Sequence, residues 1–188
     1  MPIFDDADRG THPEDLMLLQ QGHVHLVRHP WALERLRRDL ERLGYDYAVA
    51  DLGGCEHADA LRNAVIAAVP GWPRDYGARK WAAFSDGLAD CLLDADHSQR
   101  VLVLDRFDRC YADHRADAML LLNELAGIGR WHLLFGRRLI VLLVSDDPEL
   151  QLAPIGAQYA GWNRHEWLQV HREGKRLPPW IAPETAAG

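Results

Sequence analysis

Two apolar runs, Val101-Leu102-Val103-Leu104 and Leu139 through Val144 (LIVLLV), constrain the fold of this chain more than anything else in it. A strand with one wet face alternates apolar and polar residues. A strand that is apolar at every position belongs to a sheet covered by helices on at least one face, which favours parallel pairing. Tyr45–Leu52 (YDYAVADL) reads as a further strand, broken by Gly53 and Gly54.

The stretches between these strands carry helical signals. Glu56–Val69 places Leu61, Val65, Ala68 and Val69 on one side, Lys80–Asp94 is helical, and Ala112–Ile128 reads as a helix ending near Gly127 and Gly129. A turn-rich loop, PGWPRDYGAR, covers 70–79. Ahead of these lies an arm with a short helix around Glu14–Gln20 and a short strand at His23–Arg28. A helix follows from Pro30 to Leu43, with Leu33, Leu36, Leu40 and Leu43 in helical register. After Pro148 the pattern fades into a tail holding Trp162, Trp167 and Trp180, with prolines at 178, 179 and 183. The expected architecture is α/β: a small three-stranded parallel sheet with packed helices at 44–147, a strand–helix extension at 1–43 and an irregular tail at 148–188.

Composition narrows the function classes. A chain of 188 residues can bury about two thirds of its unfolded surface, so it needs neither disulfides nor a metal to fold. Three cysteines without a CxxC pair argue against a zinc site or disulfide framework. No apolar run reaches the roughly 18 residues that span a bilayer, and the acidic start, MPIFDDADRG, is no signal peptide; a cytoplasmic location is expected. A net charge of −7 disfavours direct nucleic-acid binding and suits a basic protein partner.

Few motifs point to chemistry. The Asp51–Glu56 junction lacks the glycine pattern of a phosphate loop and reads as a plain βα turn. Asp51, Asp105, Asp146 and Asp147 fall at strand ends, where Mg²⁺ could bind, yet such aspartates commonly shape turns and caps. His23 and His25 would share one face of a bland exposed strand, and no serine sits in GxSxG. No cofactor, metal or catalytic residue is expected, and an Mg²⁺-dependent enzyme is the weakest of the alternatives.

The informative segment runs from Asp75 to Asp94. On a helix, Trp81, Phe84, Leu88, Cys91 and Leu92 converge on one face, while Asp86, Asp90 and Asp94 line the opposite face at intervals of four. Like charges at that spacing destabilise a helix by a few tenths of a kcal/mol per pair. Carboxylates near its C-terminal end also oppose the dipole. Local stability therefore does not explain the stripe.

In this segment the chain resembles the barstar family, the protein inhibitors of barnase-type microbial ribonucleases. The family pattern is a loop ending in an aromatic residue and glycine, then a helix N-[LW]-D-A-[LF]-x-D-x-L. Here it stands as Tyr76-Gly77, then Lys80-Trp81-Ala82-Ala83-Phe84-Ser85-Asp86-Gly87-Leu88, with one residue inserted before Trp81. The flanking order agrees, and the resemblance spans roughly 45–147. It implies an inhibitor or antitoxin that plugs the basic active site of a ribonuclease or related toxin, with no catalysis of its own. The implied contact residues are Asp75, Tyr76, Gly77, Lys80, Asp86, Asp90 and Glu124; Asp86 matches the family aspartate that stands in for a substrate phosphate, and Glu124 falls near another family acid. Lys80 replaces the family asparagine and Ala82 the first helix aspartate, which implies a target other than barnase itself. A non-inhibitory binding module on the same scaffold, using the tryptophan-bearing tail, is the alternative.

Overall fold

A computed structural model describes residues 14–77, 79–93 and 97–174. The expectations for Asp94, Trp180 and the prolines at 178, 179 and 183 lie outside them. The helices and strands run α1 (Glu14–Gln21), β1 (Val24–Val27), α2 (Pro30–Arg42), β2 (Asp46–Asp51), α3 (Ala58–Ala68), α4 (Trp81–Cys91), β3 (Gln99–Asp105), α5 (Phe107–Asp113), α6 (Arg115–Leu133), β4 (Arg138–Val144), β5 (Gly161–Trp162) and α7 (Gln169–Arg172).

Among the described residues the sheet is parallel and has five strands in the order β2-β3-β4-β1-β5, which corrects the expected three. β1 lies against β4, with Val24 beside Val141 and Val27 beside Val144, and β5 closes the far edge beside His25 and Leu26. The stretches flanking 44–147 thus add strands to the same sheet. The tail is more ordered than expected, holding β5, a bridge between Ile155 and Gln158, and α7.

Handedness sets the layers. The β1–α2–β2 connection travels across β4 and β3 to one edge, whereas β2–β3–β4 steps back in the opposite direction. Right-handed crossovers in opposite directions put their helices on opposite faces. The side chains alternate accordingly. Val101, Val103, Ile140 and Leu142 meet Leu18, Ala32, Leu36 and Leu40 from α1 and α2. Leu102, Leu104, Val141 and Leu143 meet Leu61, Phe84, Leu88, Phe107, Leu121 and Leu125 from α3 to α6. The unbroken apolar runs therefore have cover on both faces.

The expected helix at 112–128 is two helices. His114, at φ −130° and ψ 46°, breaks the chain between α5 and α6. α6 also continues past Gly127 and Gly129 to Leu133. Glycine there costs about 1 kcal/mol relative to alanine, but burial of Leu125, Ala126, Ile128 and His132 holds the helix together. Gly129 is required by packing: a Cβ there would lie 2.6 Å from Nδ1 of His23. Chain reversal comes at Gly136, whose φ of +74° suits glycine.

His23 and His25 are buried, not exposed, because β1 is an interior strand. The His23 Nδ1 lies 2.8 Å from the Leu139 carbonyl, while the His25 Nε2 lies 3.1 Å from that of Gly22. α1 is anchored through Asp15, which accepts from the Tyr45 hydroxyl and from Arg138.

The C-terminal stretch is tied to the sheet by a buried carboxylate. Glu166 accepts the backbone N–H groups of Arg28 (3.0 Å) and His29 (2.8 Å), and Nδ2 of Asn163 donates to it at 2.6 Å. These N–H groups lie where β1 ends and α2 begins, so the carboxylate meets the positive end of the helix dipole. Arg172 adds bonds to the carbonyls of Pro148, Glu166 and Trp167, and stacks over Trp162 at 4.9 Å.

Candidate partner-binding face

α4 and the loop before it carry the sequence-predicted contact residues. The helix forms as its period requires: Phe84 and Leu88 are buried, while Asp86 and Asp90 are exposed on the other side. Lys80 is the N-cap, with extended backbone and no side-chain capping bond; its carbonyl accepts from the Phe84 N–H. Trp81 belongs to the core side, edge-on to Phe84 at 5.5 Å, beneath the Arg62 guanidinium at 4.7 Å, and donating to Asp117 at 3.3 Å.

A residue that sequence reasoning passed over fixes the loop. Trp72 stacks on Phe84 at 5.6 Å, and its indole N–H donates to the Tyr76 carbonyl at 2.7 Å. Gly87 makes room for that indole, since a Cβ at 87 would run into the ring. The available signal was a bulky aromatic between two prolines, in PGWPRDYG. Pinned in this way, Tyr76 donates its hydroxyl to Asp90 at 2.7 Å. The bond to that carboxylate holds the phenol above its ordinary pKa.

The structure brings Asp75, Tyr76 and Asp90 together around a cavity of about 660 Å³, shared with Pro70, Gly71, Pro73, Cys91 and His97. Gly77 and Lys80 are exposed nearby in the chain but do not line it. Asp86 stands exposed on α4, without an ion-pair partner among the described residues. Glu124 belongs to α6 and lines a separate cavity of about 370 Å³, whose other wall includes Ala89 of α4. α4 therefore has a recess on each side, with Asp90 lining the larger and Asp86 lining neither.

The strand-end carboxylates are engaged differently. Arg106 forms ion pairs with Asp51 and Asp105, and Arg109 lies 3.9 Å from Asp146. Arg106 adopts left-handed backbone at φ 56°, which carries its guanidinium over Gly53. Asp51 also accepts the Gly53 N–H at 2.9 Å, and that bond, then Arg106, holds its carboxyl below the usual range. Asp147 accepts the Glu149 N–H in the same turn-forming way. Among the described residues, no three His, Cys, Asp or Glu side chains are grouped to hold a metal ion. No described helix is long and apolar enough to cross a membrane.

Comparison of the chain with protein-family models returns no match, and comparison with curated proteins returns none either.

Proposed function

We propose that this protein is a cytoplasmic inhibitor of the antitoxin type, resembling barstar, which blocks the basic active site of a ribonuclease or related toxin with α4. The observation that carries this reading is Asp86, exposed on α4 and without an ion-pair partner among the described residues, at a spacing from Asp90 that costs helix stability. An uncompensated carboxylate on a rigid element is the form a phosphate mimic takes: it can accept charge-assisted bonds from the arginine and lysine groups that otherwise hold a substrate phosphate. Asp90, Asp75 and Glu124 add negative potential around it and raise the association rate.

Tyr76 contributes less freely than an unengaged aromatic anchor, because its hydroxyl is bound to Asp90. Its role is to hold Asp90 and the loop in place. Lys80 puts a positive charge at the helix entrance and Ala82 removes a carboxylate, so the target differs from barnase in the groups facing those two positions.

Affinity capture from host lysate with wild type and Asp86→Ala tests the reading. Recovery of a basic nuclease by wild type alone supports it; equal recovery by both moves function away from α4. A second reading, a non-inhibitory binding module, draws on the cavity of about 580 Å³ lined by Leu26, Glu149, Tyr159, Trp162, Gln169 and Arg172. That reading requires a partner whose binding survives Asp86→Ala and is lost when Tyr159 is changed to alanine.

A further inference from the structure

Acids alone do not account for the surface beside α4. Across the smaller recess, Ala89 of α4 faces Asn123, Glu124, Gly127, Ile128 and Trp131 of α6. The floor is low at Gly127, where a Cβ would meet nothing nearer than the Arg130 terminal nitrogen at 4.0 Å. Trp131 is 49% exposed and continues into Leu134 at 80% and Phe135 at 61%. The Trp131 and Phe135 rings meet edge to face at 5.0 Å. The buried side of α6 is already filled by Leu121, Leu122, Leu125 and Ala126, so the fold does not need these three apolar side chains.

The charge around this apolar site has one dominant sign. Glu124 stands in its wall, and Asp86 and Asp90 project from the exposed side of the helix that supplies the other wall. The neighbouring cation, Arg130, sits at the Gly156 end of the floor: both terminal nitrogens lie 3.4 Å from where a Gly156 Cβ would stand, and one lies 4.0 Å from that of Gly127, so one cation, Arg130, is set against these three acids.

We propose that this groove receives a large apolar side chain of a basic protein partner, flanked by lysine or arginine residues that reach Glu124, Asp86 and Asp90. The inference rests on α4 being a partner-binding face, and it adds an apolar anchor beside the charge-assisted bonds of Asp86. Ion pairs that stay exposed at the rim contribute little and mainly steer encounter. Affinity comes from a few large side chains seated in apolar pockets within a polar rim, the arrangement seen between Ala89, Gly127 and Trp131. A second copy of the chain is the wrong occupant. Across a two-fold axis it would set Glu124 and the α4 aspartates against their own counterparts, in a protein already carrying −7.

The test uses amide and indole NMR signals of the full chain, titrated with three synthetic peptides: Lys-Lys-Leu-Phe-Lys-Lys, the same peptide with Ser-Ser at its centre, and Glu-Glu-Leu-Phe-Glu-Glu. The first should shift Ala89, Gly127, Ile128 and the Trp131 indole, less so as salt rises, and the other two should bind at least about tenfold more weakly. Gly127→Leu fills the groove and should remove these shifts while keeping a dispersed spectrum. Trp131→Ala should weaken binding in the same direction, and Asp86→Ala should keep the groove signals moving. Shifts confined to Asp86 and Asp90, equal for the first two peptides, overturn the groove and leave the acidic-face reading standing. Shifts absent from both α4 and α6 overturn both. Equal binding of the acidic peptide, or groove signals that move with protein concentration alone, also overturns the proposal.

Discussion

Glu166→Gln is expected to loosen the whole molecule, although residue 166 lies in a stretch whose sequence reads as irregular tail. The carboxylate is fully buried and accepts three bonds, from the N–H groups of Arg28 and His29 and from Asn163. Hydrogen bonds to a charged group contribute about 1.5–3 kcal/mol each. A glutamine with its oxygen in the Oε2 place keeps the Arg28 and Asn163 bonds without their charge, and turns its NH₂ on the His29 N–H, which loses its acceptor and faces a donor. The expected loss is about 3–5 kcal/mol. Total stability for a domain is about 5–15 kcal/mol, so this is a large fraction of it. At about 2–4 °C per kcal/mol for a chain of this size, the midpoint should fall by about 6–20 °C. Thermal and urea unfolding, followed by far-UV circular dichroism, would measure this against Glu56→Gln, an exposed carboxylate whose change should stay within about 0.5 kcal/mol. A loss below about 1 kcal/mol in Glu166→Gln would refute the assignment of Glu166 as the bond between the C-terminal stretch and the sheet.

Two glycines in helices should respond with opposite signs. Gly87→Ala drives a methyl group into the Trp72 indole and should destabilise by about 1–3 kcal/mol, with altered tryptophan fluorescence as the loop shifts. Gly127→Ala meets open space and should stabilise by about 0.5–1 kcal/mol, read by urea unfolding. Acid should also weaken the fold through His25, whose burial pushes its pKa down from 6.5 to about 4, helped by the neighbouring His23. Because the folded value lies below the unfolded one, the unfolded chain binds the proton first. Stability therefore falls as pH drops from about 6.5 and levels off below about 4, a loss of about 3 kcal/mol from this group. Urea unfolding across that range should show a shallower fall in His25→Gln than in wild type; parallel curves would contradict it.

What the sequence revealed was set by local patterning. β3 and β4 were legible because their apolar runs are continuous, and α4 because its aspartates and its Phe84–Leu88 face follow the helical period. What stayed hidden is non-local. β5 is two residues long, too short to show a period, and the place of β1 between β4 and β5 depends on pairings more than a hundred residues apart in sequence. The histidines at 23 and 25 gave β1 the look of a solvated strand, although Val24, Leu26 and Val27 carried the contrary signal. Gly127 and Gly129 looked like a helix stop because the packing of His23 on Gly129 has no local trace. Of the candidate site, the acids on α4 were readable. The Trp72 bracket that sets Tyr76 against Asp90, and the separation of Glu124 into its own recess, follow only from the tertiary arrangement.

The central claim, that Asp86 enters a basic cleft of a partner enzyme, is tested most directly by calorimetric titration of the captured nuclease with wild type and Asp86→Ala, alongside RNA cleavage. An Asp86 that stands in for a substrate phosphate gives a loss of at least about 2 kcal/mol on Asp86→Ala, about thirtyfold in Kd, with cleavage restored in proportion. Equal affinities, with wild type and variant blocking cleavage alike, would contradict it.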